Sequence, residues 1–173
     1  MTRREFVGAS SLMLLRDAPP IRTVEALPVR YPVTGYFRFF TKPERPAVFV
    51  KVTCEDGTAG WGQSVPIPTW SYETLESVTG TIRLYLAPVL VGMNPTDIAE
   101  AHRRMNRAIA ASYSTGMPIA KSGIDMALHD LAAKLAGKNV AALWNRRPAD
   151  KITLSWTVNA RTLDDADELL EAG

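Results

Sequence analysis

The chain has 173 residues, 46% of them apolar and 22% charged, which is the composition of a folded globular protein and not of a disordered chain. A formal net charge of +2, with basic residues dispersed apart from the pairs Arg103-Arg104 and Arg146-Arg147, excludes the clustered basic face of a nucleic-acid binder. The single cysteine, Cys54, has no partner for an internal disulfide and sits in an alternating apolar run, as a buried free thiol would.

Residues 1–20 differ from the rest. Thr2-Arg3-Arg4-Glu5-Phe6-Val7, followed by small and apolar residues from Gly8 to Leu15, resembles the start of a twin-arginine export signal. The apolar run is shorter than the roughly 20 residues that a membrane-spanning helix needs, so no stable membrane anchor is expected. Two readings stay open: a working signal on an exported protein, or a disordered extension on a cytoplasmic one.

The fold begins at Ile21. Ile21 to Arg30 alternates loosely and predicts a strand, with Pro28 tolerable at its edge or end. Tyr31 to Pro46 carries Pro32, Gly35, Pro43 and Pro46 and predicts a loop. Ala47 to Cys54 is the clearest strand, and Glu55-Asp56-Gly57 turns it back into Thr58 to Gln63, giving a hairpin and a three-stranded antiparallel meander.

A second proline-rich loop, Ser64 to Trp70, leads to a helix that Ser71 caps, with Leu75, Val78, Ile82 and Tyr85 as its apolar stripe and Pro88 as its end. Asn94-Pro95 opens a second helix with Ile98, Met105 and Ile109 facing inward, and Pro118 to Ala136 forms the third. Strands first and helices after make an α+β domain over residues 21–148. Beyond it, Ile152 to Asn159 predicts a new strand, and the Thr162 hydroxyl with Asp165 opens a helix toward Gly173. One strand and one helix cannot bury their apolar faces alone, so residues 149–173 need further elements to complete them.

The most specific stretch is Ala120 to Leu143. Ile124, Ala127, Leu128, Leu131 and Leu135 fall on one helical stripe, and Asp130 can pair with Lys134 across a turn on another face. The spacing of Ala120, Ser122, Gly123, Ile124, Asp125, Ala127, Leu128, Asp130 and Leu131 resembles the signature helix of the mandelate racemase and muconate lactonizing branch of the enolase superfamily. The match continues through Ala133 and Lys134. It departs at Asn139, and Leu143-Trp144-Asn145-Arg146 replaces the family's Leu-Leu-Gly-Gly ending, removing the glycines that give a tight exit. Upstream, Asp56 to Gly62 is similar to the family's Gly-Trp-Gly-Glu turn, with Gln63 where the acid is usual, so an ion pair there becomes a hydrogen bond.

The resemblance implies an enolase-type α+β capping domain followed by the first βα unit of a modified (β/α) barrel. In that family a base removes the proton next to a substrate carboxylate, and Mg2+ held by acidic residues stabilises the enediolate. Those groups belong to later barrel strands, so no catalytic residue and no metal ligand is expected in this chain, and by itself it is expected to be inactive. Racemase, epimerase, cycloisomerase and acid dehydratase all stay open. The partners implied are a small carboxylate substrate and, for complete relatives, further copies in a homo-oligomer.

The cap would contribute two loops over the barrel mouth, Val33 to Thr41 and Gln63 to Tyr72. Phe37, Phe39 and Trp70 are candidate pocket walls, Arg38 a bidentate carboxylate contact, and Thr157, near the end of the first barrel strand beside Asn159, a substrate contact. Each aromatic has packing against the sheet as its plain alternative, and Arg38 a solvated loop charge. His102 and His129 read as structural histidines, and Asp125 and Asp130, five apart, share a helix face poorly as metal ligands. Two readings without catalysis also stand: a binding module that adds a partner strand at Ile152 to Asn159, and a gene fragment with no function.

Overall fold

The computed structural model describes residues 15, 17–33, 42–153, 158 and 160–172. Three strands, β1 (Ile21–Pro32), β2 (Glu44–Cys54) and β3 (Ala59–Ser64), pair antiparallel in the order β1-β2-β3. Gly57, at φ +86°, makes the turn between β2 and β3, and the Asp56 carboxylate accepts both the Thr58 N–H and its hydroxyl at 2.9 Å. β1 and β2 pair as far as Pro32 opposite Glu44, so Tyr31, Pro32 and Glu44 to Pro46 are strand where the sequence predicts loop. β3 reaches β2 only as far as Val48, so β2 has one neighbour at Pro46 and a missing donor there does not break the sheet.

Four helical segments follow the sheet before the signature stretch. After α1 (Pro68–Ser71), α2 (Leu75–Thr81) runs through a widened π-turn, Ile82–Leu86, into α3 (Ala87–Leu90). The cap of α2 is Thr74, not Ser71: the Thr74 hydroxyl accepts the Ser77 N–H, and the Ser77 hydroxyl accepts the Thr74 N–H. Pro88 does not end the helix. The π-turn, closed by the Ala87 N–H on the Ile82 carbonyl, places Pro88 in the first turn of a new segment, where its missing N–H costs no bond. The extra residue also shifts the stripe, so Leu86 is buried and Tyr85, expected inside, is exposed.

Asn94 likewise does not cap the next helix. Its side chain takes the Thr96 N–H and hydroxyl, while Asp97 accepts the Glu100 N–H at 2.9 Å and opens α4 (Ile98–Ala108), which buries Ile98 and Met105 and leaves Ile109 at the edge of the core. The expected third helix is α5 (Pro118–Leu135), with Ile124, Ala127, Leu128 and Leu131 fully buried. Each fully buried Ile or Leu contributes about 1.5–3 kcal/mol of transfer free energy. Gly137, at φ +61°, and the Lys138 N–H on the Ala133 carbonyl close α5 in a Schellman turn. Beyond it, α6 (Val140–Leu143) starts at Asn139, whose side chain accepts the Ala142 N–H, and ends at Asn145. Asn145 holds φ +53°, and the Arg146 N–H bonds the Ala141 carbonyl, so an asparagine makes the tight exit that the missing glycines would have made.

Ile152 and Thr153 are exposed and outside any strand; the rest of the expected strand at 152–159, apart from Val158, lies outside the described residues. The last helix, α7 (Leu163–Ala172), opens as expected, with the Thr162 hydroxyl accepting the Asp165 N–H at 3.1 Å. No described helix is long and apolar enough to cross a membrane.

α5 lies directly on the sheet because glycines meet it. A Cβ on Gly60 would overlap the Ala127 carbonyl oxygen, one on Gly62 the Gly123 carbonyl oxygen, and one on Gly123 the Ser64 hydroxyl. The same helix guards the open edge of β3. Asp130 accepts the Trp61 N–H at 2.8 Å, Lys134 donates to the Ala59 carbonyl at 3.0 Å, and the two side chains pair at 2.7 Å. Gly62→Ala is therefore expected to lose about 3 kcal/mol or more in urea unfolding, because helix and strand must separate. Gly80→Ala, within α2 and with open space at the Cβ position, is the control and should gain about 0.5–1 kcal/mol.

Candidate functional site on the 64–73 loop

The candidate site is the loop that leaves β3 at Ser64 and ends where Thr74 caps α2. Ile67 is its buried anchor, and its carbonyl accepts the N–H groups of Trp70 and Ser71 at 2.9 and 2.7 Å. The Ser71 hydroxyl folds back on the Ile67 backbone, accepting its N–H and donating to its carbonyl. Beyond this hook, Trp70 and Tyr72 are 72% and 57% exposed. Tyr72 stands at φ +53°, a left-handed conformation that costs an ordinary residue about 1–2 kcal/mol and persists only where its surroundings enforce it.

Glu73 follows Tyr72, and across it the Glu73 N–H donates to the Ser71 carbonyl at 2.7 Å. Its side chain is buried, and its two carboxylate oxygens accept the N–H groups of Ile119 and Ala120, at 2.7 and 3.0 Å. These are orphan donors of the first turn of α5, whose own N-cap, Met117, sits at φ +58° and offers no side-chain cap. Burial pushes the Glu73 carboxyl above the usual carboxylate range, against the two N–H bonds and the Lys121 charge, which pull it down. Burial also lowers the Lys121 ammonium, which donates to Asn106 Oδ1 at 2.9 Å and the Ile109 carbonyl at 2.7 Å. One polar cluster thus ties the loop, the start of α5 and the end of α4 together. The sequence analysis missed Glu73, since neither periodicity nor a short-range cap marks an acid whose partners lie 46 positions on.

Of the expected site residues, Trp70 lies on the exposed part of this loop. Phe37, Arg38, Phe39 and Thr157 lie outside the described residues. Gln63 stands in β3 opposite Phe49.

The two histidines converge on one acid. His102 Nε2 meets Asp125 Oδ1 at 2.7 Å, while His129 Nδ1 lies 2.9 Å from the Asp125 carbonyl, with its ring 5.1 Å from that of Trp144. Asp125 therefore ties α4 to α5, and His102 is half exposed instead of facing the core. Asp130 is committed to the β3 edge. Among the described residues no group of three or more His, Cys, Asp or Glu side chains is placed to hold a metal ion.

Residues 21–144 match the family described as the mandelate racemase / muconate lactonizing enzyme N-terminal domain. A chloromuconate cycloisomerase of Cupriavidus necator is 35% identical over 156 residues, 87% of this chain and 40% of that protein. An N-succinyl-L-Arg/Lys racemase of Bacillus cereus is 31% identical over 117 residues, 68% of this chain and 30% of that protein. The crystal structure of a muconate lactonizing enzyme from Pseudomonas fluorescens, complexed with muconolactone, superposes with a TM-score of 0.78 at 28% identity, over 89% of this chain and 42% of that one. The chain thus spans about 40% of the length of the curated relatives it matches first.

The Asp125 contacts give stability a pH dependence. Burial works against its carboxylate, but the His102 hydrogen bond and the charges of His129 and His102 outweigh it and hold the group below the usual Asp range. A lowered folded value adds stability above the unfolded value, about pH 4, and that stability is lost as pH falls through the lowered one. Asp125→Asn is expected to be less stable at pH 5 by about 0.5–1 kcal/mol, discounted for its partial exposure, with the gap closing as pH falls below the usual Asp range. Urea unfolding across that range measures it; a gap that does not change with pH would show that the carboxylate charge is not what Asp125 contributes.

Proposed function

This chain belongs to the mandelate racemase / muconate lactonizing enzyme family, and we propose that it is the specificity-setting N-terminal part of an enzyme that removes the proton next to a substrate carboxylate. Relatives named as chloromuconate cycloisomerases and as an N-succinyl-Arg/Lys racemase support a small carboxylate as substrate, and they leave isomerase chemistry of both kinds open. In this reading the proton-abstracting base, and the acids that would hold a Mg2+ to polarise the substrate carboxylate, would belong to the barrel, and this chain contributes shape.

The observation that carries the reading is the loop from Ser64 to Glu73. A polar cluster and a buried Ile67 hold it in place, yet its two large aromatics stay exposed. Large rigid rings presented in this way are suited to walling a pocket on another element and excluding water from it. Trp70 is the residue assigned to that wall. From the loop outside the described residues, Phe37, Arg38 and Phe39 would face it, with Arg38 pairing to the substrate carboxylate.

Two measurements test this. The purified 173-residue chain is expected to show no magnesium-dependent exchange of an α-proton for deuterium on muconates or N-succinyl amino acids; exchange abolished by a chelator would overturn the division of labour. Joined to the remaining part of the Cupriavidus necator cycloisomerase, the chain is expected to support turnover. There Trp70→Ala should change relative kcat/KM between substrates of different size by about tenfold. Unchanged ratios would remove Trp70 from the site.

A further inference from the structure

Between the exposed aromatics of the loop and the capped start of α2 stands one side chain whose partners belong to neither. Glu73 has 1% of its surface exposed, and both of its oxygens are spent on the N–H groups of Ile119 and Ala120. On either side of this contact the backbone is held left-handed at a residue other than glycine, at Tyr72 (φ +53°) in the loop and at Met117 (φ +58°) before α5. Two such conformations flank this one pair of hydrogen bonds, and at residues other than glycine both are costly and persist only where surrounding contacts hold them. Across Tyr72 the Glu73 N–H also bonds the Ser71 carbonyl at 2.7 Å.

We propose that Glu73 is a positioning residue: by capping α5 from outside that helix, its carboxylate fixes where the loop holds Trp70 and Tyr72. The proposal deepens the reading of this loop as a substrate wall and rests on it for its functional meaning. The chemistry of the contact is selective. A carboxylate offers an acceptor to each N–H, whereas the amide of a glutamine offers one acceptor and turns a donor toward the other N–H. Aspartate keeps the charge but is one carbon shorter, so it can approach only part of the same arrangement. Alanine at position 120 is fully buried, so an N–H released there has no water to replace the lost acceptor.

The test is amide hydrogen exchange on the full 173-residue chain, wild type against Glu73→Gln and Glu73→Asp. In E73Q the amides of Ile119 and Ala120 should exchange about tenfold faster or more, and those of Trp70 and Ser71 should accelerate with them, alongside a shift of the Trp70 indole N–H resonance. E73D should fall between wild type and E73Q. Faster exchange at Ile119 and Ala120 alone, with Trp70 and Ser71 unchanged, would show a helix cap that positions nothing and would overturn the proposal. No change at any of the four would overturn it as well. If E73Q fails to fold, E73D is read by the same criteria. No substrate enters these measurements, so they separate from the functional reading. Coupled exchange with unaltered selectivity in Trp70→Ala would keep the positioning role and discard the substrate wall.

Discussion

The close approach of α5 to β3 is the constraint on which the rest of this structure depends. Gly60 and Gly62 on the strand and Gly123 on the helix remove the Cβ atoms that would keep the two backbones apart. Helix and strand then meet main chain to main chain, which is closer than side-chain layers allow. The buried stripe Ile124, Ala127, Leu128 and Leu131 reaches Val48, Val50 and Val52 across that short gap, and the core forms around it. A fourth consequence is polar. The helix comes near enough for Asp130 and Lys134 to satisfy the Trp61 N–H and the Ala59 carbonyl on the open edge of β3, an edge that would otherwise invite another strand. The same tight fit buries the Ser64 hydroxyl against Gly123 with no hydrogen-bond partner among the described residues, a local cost of close packing.

Because α5 is fixed against the sheet, its N-terminus becomes a rigid reference point for the loops around it. Glu73 attaches the 64–73 loop to that point, and Lys121, one residue beyond the capped turn, attaches the end of α4 through Asn106 and Ile109. One turn further along the same face, Asp125 draws in His102 from α4. Three polar contacts therefore use one helix as their common anchor. Their charged members are each bound by two or more groups, as burial requires of them.

What could be read from the sequence and what could not divide along the range of the interactions. The three strands, α5 and its stripe, the Asp130–Lys134 pair and the Thr162 cap were legible because each depends on neighbours a few residues away. The first helix was read with the wrong cap and the wrong end for the same reason. Thr74-x-x-Ser77 is a weaker pattern than Ser71 after a proline-rich loop, and no local rule announces a π-turn that lets a helix pass Pro88 and exchanges Tyr85 for Leu86 on the buried side. Asn145 taking the left-handed role of a glycine was equally hidden, since asparagine tolerates that conformation without requiring it. Glu73 was invisible altogether: its role exists only once α5 has docked.

The residues that carry the family likeness are, in this structure, packing residues. Ala120, Gly123, Ala127 and Leu131 line the contact with the sheet, Asp130 closes the strand edge, and Asp125 binds two histidines instead of a ligand. A match on these positions therefore reports how this domain is built and is silent on any ligand. The exposed aromatics of the 64–73 loop, Trp70 and Tyr72, are not among these packing positions. Glu73 is the point at which the packed helix meets that loop, through its bonds to the Ile119 and Ala120 N–H groups.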